Sequence, residues 1–426
     1  MDAVSKIHEF SRFGSVLGLE RMNTLLDKLG NPQDDLDVIH VAGTNGKGSI
    51  CRYVYEVLQA GGYKTGLYTS PFLEVFNERI EFDGAYISDE ELDIFTDKVL
   101  AQAKAMVDEG YESPTEFEVV TAIAFLYFKE KQADYVVLEV GLGGTGDSTN
   151  VVKAPLACII ASISLDHTDR LGNTIEAIAR EKAGIIKQGC PVISSTDNNK
   201  AKNVIYDRCR ELECAFIDSS KAVPRILEED ITGTTFEVCM YGAFHKIKIG
   251  MLGKHQVQNA VAALSALLLL SKTDTIKLSD EAIREGFAKA KQIGRFEIME
   301  TNPYVILDGA HNPDGSKVLR EAVEKYFPGK KILMVTGILA DKDIDEVFEN
   351  FTAITNDFVV TEPNNPRRMH AKDLADQISA KGGRCIIKEK PAEAVAYAKS
   401  LYGEYDVILF TGSLYLIGEI RGHLHA

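Results

Sequence analysis

Short, continuous apolar runs alternate along this chain with longer stretches whose apolar residues recur every three or four positions. The runs read as strands buried on both faces of a parallel sheet, and the stretches as amphipathic helices packed against it. Ile7 to Leu29 carries the helical spacing and stops at Gly30-Asn31-Pro32. Val38, Ile39 and Val41 make the first strand, Ile50 to Ala60 a helix, and Lys64 to Thr69 a second strand closed by Ser70-Pro71. Helical patterns at Asp89 to Glu109 and Thr115 to Lys129 precede the strand Tyr135 to Leu138, which delivers Glu139. Cys158 to Leu165 forms a further strand and delivers Asp166 and His167. A helix from Asn173 to Lys182, stopped near Gly184, leads to a strand at Pro191 to Ser194. Asp207 to Tyr241 shows no clear period and receives no assignment, whereas Gly253 to Leu270 opens on polar GKHQVQN and continues as the most apolar helix of the chain.

A fresh alternation begins near Arg295. Strands at Tyr304 to Leu307, Lys331 to Val335, Phe358 to Thr361, Cys385 to Lys388 and Val407 to Phe410 are separated by helices at Ser316 to Tyr326, Ile344 to Phe351, Ala371 to Ala380 and Ala392 to Tyr402. That is a doubly wound α/β unit. A chain of 426 residues exceeds what one core holds, so the pattern divides into residues 1–293 and 294–426, with the boundary between Lys289 and Arg295. With 45% hydrophobic and 26% charged residues the composition is that of an ordinary globular protein. A formal net charge of -16 argues against a general binder of nucleic acid or acidic membrane. Seven cysteines without a C-x-x-C pair suggest neither a disulfide framework nor a zinc ribbon, and fit a reducing cytoplasm. The N-terminus lacks a long apolar core, and the run Ala260 to Leu270 is too short to span a bilayer.

The stretch Val38 to Ser49, VIHVAGTNGKGS, turns a buried strand into Gly43, Thr44, Asn45, Gly46, Lys47, Gly48 and Ser49 before a helix. Glycines let backbone N–H groups converge on an anion, the helix start favours negative charge, and the lysine reaches outer phosphates. The spacing departs from G-x-x-x-x-G-K-[ST], because Val41 stands at the first glycine and Gly48 separates lysine from serine. A nucleoside triphosphate is the ligand this loop predicts. Glu139 closes a strand where an acidic residue beside a phosphate loop holds magnesium. Gly141 to Gly146 matches G-x-G-x-x-G, but Asp147 to Pro155 is too short for the helix a dinucleotide site needs, so these glycines are read as letting a loop approach phosphate or substrate. Ser70, Glu139 and His167 end neighbouring strands and form an oxygen-rich set that suits magnesium better than zinc. Asp308 to Pro313 follows the first strand of the second unit, where open α/β sheets bind ligands, and Arg295 stands at the junction, placed to clamp a phosphate. Spacing alone gives Lys182 no role.

In this order, HVAGTNGKGS, TSPF with FNERI, LEVGLGG, LDH, EKAGIIK, GKHQVQNA, LDGAHNPDG, GILADKD and TGSLYLIGEIR resemble the folylpolyglutamate synthase and dihydrofolate synthase family of the Mur ligase superfamily, over nearly the whole chain. The resemblance implies a Mur ligase-like fold with a P-loop-type ATPase domain followed by a Rossmann-like domain. It implies that a cytoplasmic monomer ligates L-glutamate to the γ-carboxylate of a folate, using ATP through an acyl phosphate, with dihydropteroate as a second acceptor. It assigns Lys47 to the phosphates and Ser70, Glu139 and His167 to two magnesium ions, with Ser49 in the loop. Lys182 matches the lysine that the family carbamylates; Lys47, Lys182 and His167 are thus the expected catalytic set. Asn259 and Arg295 match nucleotide contacts, Asp308 and His311 a nucleotide-binding loop, and Phe72 to Ile80 the mobile loop near the folate site. Two departures stand out: Phe72 where many members carry histidine, and Thr145-Gly146 where many carry arginine-leucine. Competing readings are a ligase of cell-wall nucleotide precursors, which needs an N-terminal domain larger than the roughly forty residues before the loop, and a nucleotide-regulated binding protein.

Overall fold

A computed structural model describes residues 2–13, 16–340 and 344–425. Eight strands form the first sheet: β1 (Val38–Ala42), β2 (Thr65–Tyr68), β3 (Ile80–Phe82), β4 (Ala85–Tyr86), β5 (Tyr135–Glu139), β6 (Ala157–Ile160), β7 (Val192–Ser194) and β8 (Phe216–Asp218). Their order is β4-β3-β2-β5-β1-β6-β7-β8, with β3 and β4 antiparallel at one edge and the remaining pairs parallel. All five residues of β1 are buried, as a strand covered on both faces requires. Ile39 and Val41 point into a core shared with the helices Lys47–Ala60, Lys254–Lys272 and Asp280–Lys289. Val38 and Ala42 point the other way, towards Glu20–Lys28 and Glu116–Glu130 and towards Ile175–Ala183 and Asn199–Glu211 respectively. The ladder pairs Val41 with Glu139 and Ala42 with Ile160, so the carboxyl ends of the three central strands lie side by side.

A three-stranded antiparallel meander follows, β9 (Arg225–Asp230), β10 (Gly233–Met240) and β11 (Ala243–Ile249), the first two within the irregular stretch Asp207 to Tyr241 and the third just beyond it. Phe236, Val238 and Met240 face the core, but β9 is almost wholly exposed and reads Glu228-Glu229-Asp230, which erases the apolar signal of a strand. The second sheet contains β12 (Glu297–Thr301), β13 (Tyr304–Leu307), β14 (Ile332–Thr336), β15 (Asp357–Val360), β16 (Arg384–Ile387) and β17 (Val407–Thr411), in the order β12-β13-β17-β14-β15-β16. Every pair is parallel except β12 with β13. The chain therefore folds as a mixed eight-stranded sheet followed by a mostly parallel six-stranded one.

Three expectations need correction. The helix read over Ile7 to Leu29 is divided into Ala3–His8, a 3-10 segment Glu9–Phe13, and Glu20–Lys28. Gly18, at φ 142°, donates its N–H to the Gly146 carbonyl and leaves the helical path. The strand read as Cys158 to Leu165 ends at Ile160, because the groups beyond it turn to the phosphate loop: Ser162 O accepts from Thr44 N at 2.7 Å and Ser164 N donates to Thr44 Oγ1 at 3.1 Å. The helix read from Ile50 begins at Lys47, directly after Gly46 at φ 88°. Of the GILADKD segment, residues 341–343 lie outside the described residues. Among those described, no helix is long and apolar enough to cross a membrane.

The Asp280–Lys289 helix lies on Lys47–Ala60 so closely that a Cβ on Gly286 would overlap the backbone N and Cα of Val57. Alanine would gain about 1 kcal/mol of helix propensity, yet the obstructing atoms are main chain and yield only if a helix moves, at about 1–3 kcal/mol. Gly286→Ala is expected to lower the denaturant midpoint. A midpoint at or above that of the unsubstituted protein would show that this contact gives way freely.

Candidate active site

The phosphate loop is wedged between two neighbours. Gly43 leaves no room for a Cβ against the Ala161 side chain, and Gly46 leaves none against the Asn259 amide. On this framework Lys47, the first helical residue, folds its Nζ back onto Gly43 O (3.1 Å) and Thr44 O (3.2 Å). Lys182 Nζ donates to the same Gly43 carbonyl at 2.8 Å from the opposite side. Ser49 Oγ accepts from Gln256 Nε2 at 3.1 Å, and Gln256 Oε1 accepts from Asn259 Nδ2 at 3.2 Å. Gln256 was not singled out from sequence, although it sits in the polar GKHQVQN start that was.

Glu139 ends β5 beside this loop and is buried, its Oε2 accepting from Ser70 N at 3.2 Å. Burial pushes its carboxyl pKa up, while the charges of Lys47 and Arg295 pull it back. A buried carboxylate with one backbone donor fits a hard cation, whose charge would offset that desolvation. His167 sits in the left-handed region at φ 50° with its side chain 43% exposed, and its Nε2 is 3.9 Å from Asp166 Oδ1. Among the described residues no three His, Cys, Asp or Glu side chains are gathered into a metal cage. One carboxylate with hydroxyl and imidazole groups beside it suits magnesium, which keeps several waters and shares its coordination with phosphates.

Lys182 lies behind the loop near the end of Ile175–Ala183, buried. Burial, reinforced by the Lys47 charge, brings its pKa down to about 7 against the pull of Asp166 and Asp147. The sequence did hold a trace of this: Lys182 falls four residues after Ile178 and three after Ala179, on the helix face that faces inward. The loop of Gly141 to Gly146 packs on the same helix end. Gly144 has no room for a side chain against the Glu181 carbonyl and the Lys182 backbone, Gly184 none against Thr145, and Thr145 N donates to Glu181 O at 2.9 Å. Only a short 3-10 turn, Ser148–Val151, follows, so the glycines serve close packing of main chain, and Gly141, Leu142 and Gly146 also line a cavity.

From the other sheet, Asp308 receives Phe296 N at 2.8 Å and Ala310 N at 2.9 Å; burial raises its pKa and Arg295 draws it down. His311 Nδ1 is 2.8 Å from Gly309 O. The two halves touch at the loop itself. Asn45 Nδ2 donates to Asp314 Oδ2 at 2.9 Å, and Asn312 Nδ2 reaches Asp166 Oδ2 at 3.3 Å and Asn45 Oδ1 at 3.4 Å. Thr44 to Ser49, Ser70, Glu139, His167, Asn259, Arg295, Asp308 and His311 all line one cleft of about 1120 Å³; Gly43 and Lys182 stand behind it. A second cavity, of about 590 Å³, opens beside it between Phe72, Arg79, Phe117, Asp147 and Tyr415.

Residues 41–267 match the Mur ligase middle domain, and residues 294–414 the Mur ligase glutamate ligase domain. The dihydrofolate synthase/folylpolyglutamate synthase of Bacillus subtilis is 39% identical over 99% of this chain and 98% of its own length. This chain belongs to the folylpolyglutamate synthase and dihydrofolate synthase family of Mur ligases. The folylpolyglutamate synthase of Lacticaseibacillus casei is 35% identical over 99% of this chain and 97% of its own. A Mycobacterium tuberculosis folylpolyglutamate synthase, solved with ADP and AMPPCP, superimposes with a TM-score of 0.90 at 30% identity, covering 99% of this chain and 98% of that one. The family makes this an ATP-dependent acid–amino acid ligase acting on folates and sets aside both competing readings.

The depressed Lys182 pKa carries a sign that can be measured. An unfolded lysine holds its proton to about 10.5 and the folded one only to about 7, so between those values the unfolded chain binds more protons and stability rises with pH. Lys182→Met removes this term. In buffer free of carbon dioxide, the thermal midpoint of the variant relative to the unsubstituted protein is expected to be highest below pH 7 and to fall as pH rises. A difference that stays constant across that window would mean that Lys182 does not titrate there.

Proposed function

We propose that the larger cleft takes magnesium-ATP, that the smaller cavity takes the folate, and that the wall between them is where the γ-phosphoryl group changes hands. One observation carries this reading: Ser70, Pro71, Phe72, Gly141, His167, His311 and Leu414 line both cavities. A carboxylate at the end of a ligand in the smaller cavity would then meet the terminal phosphate of a nucleotide in the larger one. The carboxylate oxygen attacks the γ-phosphorus and ADP leaves; the amine of L-glutamate attacks the acyl carbon, phosphate leaves, and the amine loses a proton. A carboxylate is a poor electrophile until its oxygen becomes a leaving group, which is why the first step is needed.

In this reading Lys47 swings from its own loop carbonyls to the phosphates, with the loop N–H groups of Gly43 to Ser49 around them. Asn259, beside the loop at Gly46, and Arg295, Asp308 and His311 from the opposite wall hold the nucleotide. Ser70, Glu139 and His167, with the Ser49 hydroxyl, would hold two magnesium ions, which screen the charge on the phosphates during transfer. Lys182 is carbamylated: a lysine partly neutral near pH 7 has the free amine that adds to carbon dioxide, loses a proton and becomes an anion able to support metal and the charged intermediate. The catalytic unit divides at residues 293 and 294 and works as a monomer in a reducing cytoplasm, to which the free cysteines are suited. Dihydropteroate is taken as a second acceptor alongside tetrahydrofolates.

The test is ADP release with magnesium-ATP and L-glutamate, offering tetrahydrofolates and dihydropteroate separately and reading product mass. Glutamate gained on both acceptors is the expected result; gain on tetrahydrofolates alone removes the second activity. No gain on either would overturn the reading. Lys182→Ala is expected to lose ligation on the order of 100-fold, the scale of losing one group that stabilises a charged intermediate, while ATP affinity stays within about threefold. Near-normal turnover in that variant would remove the carbamate from the mechanism.

A further inference from the structure

The segment that separates the two cavities is gripped from behind by the C-terminal helix, Leu414–His425. Ser70, Pro71 and Phe72 line both cavities, Leu73 still borders the larger one, and Glu74 lines neither. Leu73 packs into a core of the second sheet that includes Ile417 and Ile420. Gly294 and Gly418 make that seat. A Cβ on Gly294 would stand 3.2 Å from a Leu73 methyl carbon, and one on Gly418 would overlap the Leu73 carbonyl oxygen. One turn further along the helix, Arg421 joins two carboxylates. Its Nη1 donates to Glu74 Oε2, while Nε and Nη2 donate to Glu297 Oε1 at 3.1 and 3.0 Å.

Three features make this more than a surface ion pair. The side chains of Arg421, Glu74 and Glu297 are only 18%, 24% and 18% exposed, and a planar guanidinium shared by two carboxylates is a geometrically selective contact. Glu297 also receives Gly294 N at 2.8 Å, tying the contact to the junction beside Arg295. On the loop side, buried Glu78 accepts from Leu73 N, Glu74 N and Val75 N at 2.7, 2.9 and 2.9 Å, so the turn moves as a unit. Phe72, whose ring packs against Phe76 at 5.6 Å with the planes tilted by 55°, is carried with it.

We propose that Arg421 is a positioning residue for the folate: through Glu74 and the seated Leu73, the terminal helix fixes Phe72 and hence the shape of the passage between nucleotide and folate. The proposal rests on reading the smaller cavity as the folate site. Its consequence is selective. Loosening the contact should weaken folate capture while the nucleotide, held by the phosphate loop, is bound as before.

Steady-state kinetics of Glu74→Gln, Arg421→Met and the double variant test this, with Phe117→Leu altering the cavity wall independently. Each single variant is expected to raise the folate KM about five- to tenfold, with the double variant no worse than the weaker single one, because the two groups act as one contact. The KM for ATP should stay within about twofold and Arg421→Lys should recover part of the loss, because it keeps the charge without the fork. A folate KM unchanged in Glu74→Gln would overturn the proposal. So would folate and ATP KM values rising together with a fall in thermal midpoint, since that pattern marks a structural loss alone. Phe117→Leu raising the folate KM while both contact variants leave it unchanged would defeat the positioning role and spare the cavity reading; no effect from any of them would defeat both.

Discussion

Two lysine side chains meet at one carbonyl oxygen, that of Gly43, and much of the site follows from it. Lys47 approaches from the helix that the loop begins, and Lys182 from a helix on the opposite face of the sheet. Burial disfavours the charge on Lys182, and repulsion from the neighbouring Lys47 ammonium adds to that effect, so Lys182 is readily neutralised. An anion in the loop would draw Lys47 forward and relieve that repulsion. On the proposed reading, nucleotide arrival and the charge state of Lys182 would in this way be linked at the Gly43 carbonyl.

The junction between the two sheets is polar at the loop and apolar behind it. Asn45, Asn312, Asp314 and Asp166 exchange hydrogen bonds at the mouth of the cleft, while Leu73 is sunk among Ile417 and the glycines at the back. Hydrogen bonds at the mouth exchange with water more readily, whereas withdrawing the partly buried Leu73 from its seat costs part of the roughly 1.5–3 kcal/mol that a fully buried leucine is worth. With Arg421 and its two carboxylates beside the leucine, the back contact is therefore the stiffer of the two.

Much of this was legible in the sequence, because the strands are buried on both faces and the ligand-bearing turns follow them. Tyr304–Leu307 and Ala371–Ala380 fall where the pattern put them, and the residues named for the nucleotide cleft, apart from Gly43, line one wall or the other. Periodicity failed where burial did not govern. β9 shows its charged residues to solvent, and β12 is only partly buried at the sheet edge. Ala161 to Leu165 reads as strand because its apolar residues alternate with Ser162 and Ser164, yet the backbone of those two serines is spent on Thr44. Gln256, Arg421 and Glu74 bear on the site through partners distant in the chain, and no local spacing announces a partner 347 residues away.

Gly146 gives one of the two departures from the family pattern a physical meaning. Its carbonyl accepts from Gly18 N, and a Cβ there would stand 3.1 Å from both that nitrogen and the Leu17 Cβ. The space that a leucine would fill at this position is here taken by the chain itself, at residues 17 and 18. Val16, Leu17 and Gly146 all line the smaller cavity, so this backbone contact lies at its rim. Side chains change rotamer to admit a new ligand; a backbone hydrogen-bonded to another backbone does not. On the proposed assignment of this cavity to the folate, that backbone contact would make selection among acceptors at this corner depend on ligand shape more than on protein adjustment.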